Sequence, residues 1–248
     1  MALVWRTVFH TNMTKSQASI KLYVSTPHSC PYLPGEEATT LIIDPELKTT
    51  DMLFTQLARH GFRRSGDMIY RPHCVHCDAC VSVRIPVNDF KPTRGQRRTW
   101  RRNQDIQIVE KPSELNPEHF ELYLRYQQAR HPDSSMCDPD PEKYYKFLVS
   151  DVIDTRFFEM RVGQRLIGVA VADCFQDGLS AVYTFFDPGE SNRGLGNFAI
   201  LWEIQYAKQL CQPWVYLGYW IKDCRKMSYK TSFRPAEGFK NGAWVCLS

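Results

Sequence analysis

The chain has 248 residues, 43% hydrophobic and 23% charged, with a net charge of +4. These values exclude a mainly disordered chain and allow one large domain or two smaller ones around a buried core. The longest apolar run, PWVYLGYWI, is far too short to span a bilayer, and the opening MALVWRTVFHTNM lacks signal-peptide architecture, so a cytoplasmic protein is expected. Its nine cysteines are then reduced or metal-bound rather than paired in disulfides.

The character of the chain changes near residue 105. A Cys-rich N-terminal domain, 1–104, ending in a basic segment, and a second domain, 105–248, are expected. In the first, LPGEEATTLIIDP (33–45) holds a β-branched run that reads as a strand. TTDMLFTQLARHGF (49–62) reads as a helix capped by Thr50 or Asp51, with an apolar stripe of Met52, Leu53, Leu57 and Ala58, and stopped by Gly61. YRPHCVHCDAC (70–80) follows, with Cys74, Cys77 and Cys80 at every third position and His73 and His76 beside them. Zinc takes four tetrahedral ligands and iron–sulfur clusters commonly four cysteines. Cys30 or one of the two histidines is available as the fourth ligand; the alternative is a set of reduced structural thiols. ACVSVRIPV then alternates as a strand.

FKPTRGQRRTWRRNQD (90–105) carries six basic residues and one acid, while the rest of the chain nets −1. The positive excess therefore sits in sixteen residues, which argues for a local anionic partner. As a helix over 94–102, Arg94, Arg97, Arg98, Arg101 and Arg102 share an arc of about 140°, with Trp100 at its edge.

The second part reads as alternating helix and strand. NPEHFELYLRYQQARH is a helix capped by Asn116 with Pro117 in its first turn. EKYYKFLVS is another helix after DSSMCDPDP. TRFFEMRVG and RLIGVAVADCF are strands joined at Gly163, and QDG (176–178) turns the chain into LSAVYTFFD. The Gly-rich PGESNRGLGN opens the helix FAILWEIQYAKQL. PWVYLGYWI is a buried strand, DCRKMSYKTSF a short helix and GAWVCLS a final strand.

This order, in a mixed α/β (α+β) chain, resembles the GNAT acyltransferase fold, in which a glycine loop and helix N-terminus hold a phosphorylated acyl carrier. Here SNRGLG has Ser191 where that loop usually has Arg or Gln, with Gly194 and Gly196 in place. HSCPYLPGEEATTLIIDP, YRPHCVHCDACVSVRIPV, ARHPDSSM, YTFFDP, FAILWEI and YLGYWIKDCRKMSYKTSFRPAEGF together resemble the bacterial aspartate/glutamate leucyltransferases, relatives of the eukaryotic arginyl-tRNA–protein transferases. The likeness runs through residues 25–242 in order. It implies transfer of an aminoacyl group, leucyl in the short bacterial type, from a charged tRNA to the α-amine of a protein beginning with Asp or Glu, marking it for N-end-rule degradation. It also supports Cys30 as the fourth thiol beside Cys74, Cys77 and Cys80 in a zinc or iron–sulfur site, although Leu33 stands where eukaryotic relatives have a second cysteine in that segment.

An aminoacyl ester is already activated, so transfer needs no ATP motif, no cofactor and no enzyme nucleophile; it needs positioning, a proton acceptor and a dipole for the oxyanion. Asp187, at the end of YTFFDP, is the candidate acceptor and His131 a second candidate base or a ribose ligand, against an Asp-Pro turn and a helix cap. Tyr183, Tyr219 and Tyr229 are candidates to donate to the oxyanion or stack on the terminal adenine. Arg84, Lys226, Lys230 and Arg234 are candidates to hold the acidic side chain. The arginine arc suits the tRNA acceptor stem. The competing readings are an acetyl-CoA-dependent N-acetyltransferase and a non-enzymatic, metal-containing RNA-binding protein.

Overall fold

A computed structural model of the chain describes residues 5–7, 20–132 and 138–247. The end of ARHPDSSM and Cys137 fall outside the described residues. The N-terminal strands are β1 (Trp5–Thr7), β2 (Ile20–Val24), the short hairpin β3 (His28–Ser29) and β4 (Glu37–Ala38), and β5 (Thr40–Ile43). Helix α1 (Asp51–Arg59) follows, then β6 (Arg63–Ser65) and β7 (Met68–Pro72). Five of these strands form an antiparallel sheet in the order β1-β2-β5-β7-β6.

Thr50 caps α1, its hydroxyl accepting from the Leu53 N–H at 3.2 Å. The expected apolar stripe is rotated: α1 buries Phe54, Leu57 and Ala58, and Met52 is 63% exposed. The reason is tertiary. Phe54 packs edge-on against Phe175 of the other sheet, with ring centroids 5.3 Å apart, and this contact sets which side of the helix faces inward.

The remaining elements are β8 (Val81–Pro86), α2 (Arg94–Arg102), β9 (Gln107–Lys111), α3 (Pro117–Arg130), α4 (Pro141–Leu148), β10 (Asp154–Val162), β11 (Arg165–Phe175), β12 (Gly178–Phe186), a 3-10 helix over Pro188–Arg193, α5 (Leu195–Gln209), β13 (Trp214–Trp220), a second 3-10 helix over Arg225–Ser232, β14 (Ala236–Lys240) and β15 (Ala243–Leu247). Eight strands form the large sheet, in the order β15-β14-β8-β13-β12-β11-β10-β9. The sequence reading omits β1, β2, the β3–β4 hairpin, β6, β7, β9 and β14. The expected meander, glycine loop, helix and strand appear in that order. β8 precedes the expected boundary at 104/105, yet it pairs with β13 on one side and β14 on the other. Its six residues are all buried, as a strand in mid-sheet requires.

β12 and β13 run parallel, but they pair only over Gly178–Ser180 and Trp214–Tyr216. Gly178 permits this close approach, since a Cβ there would lie 2.5 Å from the Trp214 carbonyl oxygen. Beyond it the strands part. β12 stays with β11 to Phe186, and β13 stays with β8, with a register shift between Tyr216 and Gly218. The parted ends leave an opening in the middle of the sheet. α3 closes one face of this region through Leu122, Tyr123 and Tyr126, which share a core with Phe157, Val171 and Phe185. The interior is dominated by fully buried aromatic and aliphatic side chains, each contributing about 1.5–3 kcal/mol relative to exposure.

One buried ion pair ties the two sheets. On β6, Arg64 donates through Nε to Asp173 of β11 at 2.7 Å and through Nη2 to Thr155 at 2.8 Å and to the Leu148 carbonyl at 2.9 Å; Nη2 also contacts the second Asp173 oxygen. Among the described residues no helix is long and apolar enough to cross a membrane.

Candidate functional site

A cleft of about 650 Å³ occupies the opening between β12 and β13. Its walls are Ala181–Thr184 and Phe186 from β12 and Leu217, Gly218 and Tyr219 from β13. The start of α5, through Gly194, Gly196 and Asn197, forms one end. The 3-10 helix carrying Met227, Tyr229 and Lys230 covers it, and Tyr126, Arg130 and His131 from the end of α3 stand at the side. Arg63, Arg64 and Tyr70 reach it from the smaller sheet.

Seven residues singled out from sequence therefore meet in one place: His131, Tyr183, Gly194, Gly196, Tyr219, Tyr229 and Lys230. Gly194 adopts φ +69°, a left-handed conformation that glycine takes without cost, and turns the chain into α5. No side chain caps that helix, so its first N–H groups and positive dipole end are available beside the cleft. The Tyr183 hydroxyl accepts from Gln127 Nε2 at 2.9 Å. The Tyr219 hydroxyl donates toward the carbonyls of Gly61 and Tyr70, at 3.0 and 3.1 Å, and so anchors β13 to the smaller sheet. His131 also ends α3, its backbone N–H donating to the Gln127 carbonyl at 2.7 Å. Burial, then the charges of Lys226 and Arg130, lower its pKa and favour neutral imidazole.

Lys230 donates from Nζ to the Tyr219 carbonyl at 2.6 Å. Burial, with the nearby Arg63 charge, brings its pKa down to about 7. It is thus poised between ammonium and amine, which suits proton transfer better than the permanent clamping of a carboxylate.

Other expected residues stand elsewhere. Asp187 lies outside the cleft lining. Phe186, the last residue of β12, lines the cleft, whereas Asp187 lines a separate hollow with Glu118, Arg125 and Arg165. Asp187 accepts from the Gly189 N–H at 2.9 Å and lies 3.5 Å from Arg165, the contacts of an Asp-Pro turn. Arg84 also stands outside the cleft lining: it pairs with Glu237 at 2.7 Å and is held between the rings of Trp214 and Trp244. Arg234 is exposed and bonds the Thr231 carbonyl at 3.4 Å. Lys226 is exposed near His131.

The four cysteines read as metal ligands lie outside the cleft lining. The thiols share one region, where burial and then Cys74, Cys30, Cys77 and Cys224 push the Cys80 pKa up to about 12. Two of them have backbone partners. Cys30 Sγ accepts from the Leu33 N–H at 3.4 Å, and Cys74 Sγ contacts the Thr39 carbonyl at 3.7 Å. Among the described residues no group of three or more His, Cys, Asp or Glu is arranged to hold a metal ion.

All five arginines of α2 are exposed. Thr93 and Gln96 cap the helix reciprocally, at 3.2 and 2.8 Å. Arg102 bonds the Asn192 carbonyl, which joins α2 to the glycine loop. Arg94, Arg98 and Arg101 have no hydrogen bond or ion pair to the described residues. Trp100 packs on Phe198 of α5, with ring centroids 5.5 Å apart, and so fastens the helix rather than standing free.

Sequence reasoning missed Arg63, Tyr70, Tyr126, Arg130 and Glu203. Glu203 is completely buried in α5 with both carboxyl oxygens unpartnered, and burial raises its pKa to about 8, so it is held protonated. A charged residue inside the apolar run FAILWEI is the one sequence signal that points to it.

The family model described as "Arginine-tRNA-protein transferase, C terminus" matches residues 118–240, and "Arginine-tRNA-protein transferase, N terminus" matches 28–98. The chain is 50% identical over 231 residues to the aspartate/glutamate leucyltransferase of Pseudomonas aeruginosa strain LESB58, covering 93% of this chain and 98% of the relative. With the same coverage it is 51% identical over 230 residues to the enzyme of that name from Pseudomonas syringae pv. syringae strain B728a. A crystal structure of a DUF2156 C-terminal domain from Agrobacterium fabrum matches at TM-score 0.46 and 9% identity, over 84% of this chain and 78% of that one, a likeness too slight to carry an argument.

Proposed function

From the premise that the chain belongs to the aspartate/glutamate leucyltransferase family, we propose that it transfers leucine from leucyl-tRNA to the N-terminal α-amine of proteins beginning with Asp or Glu. The product amide replaces an ester, so the reaction runs downhill without ATP. The observation that carries this reading is the cleft itself. It has room for two chain ends to meet, an uncapped helix N-terminus at one end and a near-neutral lysine over it.

In this reading the acceptor end of the tRNA enters past α2. The helix N-terminus of α5 takes phosphate, and the tyrosines at 183 and 229 flank the terminal adenosine and the leucyl ester. The protein N-terminus approaches from the side of Arg130 and Lys226, and Lys230 accepts a proton from the α-amine as it attacks. The product is delivered, in the cytoplasm, to the machinery of N-end-rule degradation.

The test is a transfer assay with radiolabelled leucyl-tRNA and peptides starting with Asp, Glu or Ala. Label on the two acidic peptides alone is the expected result. Label from arginyl-tRNA but not leucyl-tRNA would overturn the donor, and a thermal shift with acetyl-CoA in place of any transfer would favour an acetyltransferase.

The α2 face makes a separate prediction. Phosphate contacts by arginine release counterions, so affinity falls with salt by about 0.7–0.9 log units per log unit for each contact. Replacing Arg98 and Arg101 with alanine is expected to flatten the salt slope of leucyl-tRNA binding by about 1.4–1.8. An unchanged slope would place the tRNA elsewhere.

A further inference from the structure

Arg63 and Arg64 are successive residues of β6, and their side chains leave the strand on opposite faces. Both are buried. Arg64 is fully engaged with Asp173, Thr155 and backbone carbonyls. Arg63 is not. Its guanidinium enters the gap where β12 and β13 part. There Nη1 donates to Ser180 Oγ at 2.6 Å and to the Tyr216 carbonyl at 3.3 Å, and Nη2 donates to the Ala181 carbonyl at 2.6 Å. No carboxylate of the described residues lies within ion-pair distance of it.

A guanidinium has five N–H donors. Three are used, which leaves one on Nε and one on Nη2, the two nitrogens of a single bidentate edge. Gly218 faces this side, and a Cβ there would stand 3.5 Å from both Nε and Nη2. The chain takes φ +78° at Gly218, and the missing side chain leaves the space above that edge open. Arg63 and Gly218 both line the cleft. The neighbouring Glu203 is held protonated and does not neutralise the arginine, whose charge is disfavoured by its own burial. A rigid, unpaired cation in a cleft, with one bidentate edge unspent, is complementary to a carboxylate.

We infer that Arg63 is the specificity-determining residue that receives the side-chain carboxylate of the N-terminal Asp or Glu, over the gap left by Gly218. This rests on the transferase reading above and deepens it. Arg63 reads the acceptor's charge, and Lys230 handles the proton of its amine. The sheet gap that opens the cleft thereby also supplies its selectivity, because the same guanidinium that bridges the parted strands presents its other edge to the substrate.

The test measures kcat/KM for peptides identical except for Glu or Gln at the N-terminus, at saturating leucyl-tRNA, with wild type, Arg63→Lys and Gly218→Ala. Lysine keeps the charge and loses the bidentate edge; alanine keeps the arginine and puts a methyl group, at van der Waals distance from it, into the space the carboxylate would use. The expected result is a fall of tenfold or more in the Glu/Gln ratio for each variant. A ratio is insensitive to the fraction of folded enzyme, and if Arg63→Lys does not fold, Gly218→Ala decides alone. Equal slowing of both peptides with an unchanged ratio would overturn the inference and leave Arg63 to the oxyanion or to the sheet gap. Wild type that labels neither peptide would sink the transferase reading itself, and this inference with it.

Discussion

Replacing Lys230 with methionine is expected to lower kcat/KM for leucyl transfer by about 10²–10⁴-fold, the range by which a positioned general base accelerates a proton-dependent step. The attacking amine must be neutral, and a protein α-amine with a pKa of about 7.7–8.0 is mostly protonated at pH 7. Lys230 lines the cleft, and its donation to the Tyr219 carbonyl orients the nitrogen. Burial lowers its pKa to about 7. Below that pH it is an ammonium ion and cannot accept a proton, so activity rises with pH through about 7. The methionine variant should lose this limb and keep only the later rise that belongs to the substrate amine. Arginine, charged at every working pH, should be as damaging. A methionine variant that retains activity within about threefold and an unshifted profile would remove Lys230 from the proton path. Methionine is close in volume, so a melting temperature near that of wild type separates lost chemistry from lost fold.

Replacing Asp173 with alanine is expected to cost about 3–5 kcal/mol of stability, because Arg64 would be left charged and unpaired between the two sheets. For a chain of this size that lowers the melting temperature by roughly 6–20 °C. Both partners are almost wholly inaccessible, so solvent does not screen the loss. The double variant Arg64→Met/Asp173→Leu should recover most of the deficit, since removing both charges removes the desolvation cost as well. Thermal and urea unfolding of the three proteins checks this. A single variant that melts within 2 °C of wild type would show that the pair contributes little.

Local signals account for the elements that were legible. Asp177-Gly178 does turn β11 into β12, and the left-handed Gly163 joins β10 to β11. Asn116 caps α3, accepting from Glu118 and His119, with Pro117 in its first turn. The basic segment is helical over the expected residues 94–102. Each of these depends on residues within a turn of one another. The hairpin β6–β7 was not legible, because its first strand reads RRS and shows no apolar alternation. Its burial comes from Asp173 and Ser180, more than a hundred residues away.

The candidate site divides in the same way. The aromatic residues and glycines of the cleft stood out in the sequence by type and context. The roles of the charged residues did not, because a charge has no function apart from its partners. Arg84 and Asp187 looked available and are occupied, by Glu237 and two tryptophans and by Gly189 and Arg165. Arg63 carried no sequence signal and keeps an unspent edge. The sequence by itself determined the order of elements from α3 to β13, the basic helix, the glycine loop and the family. Only the tertiary structure decided where the strands part, which cation remains unpaired and which lysine stands near neutrality, because burial and long-range pairing set each of these and neither exists until the two sheets meet.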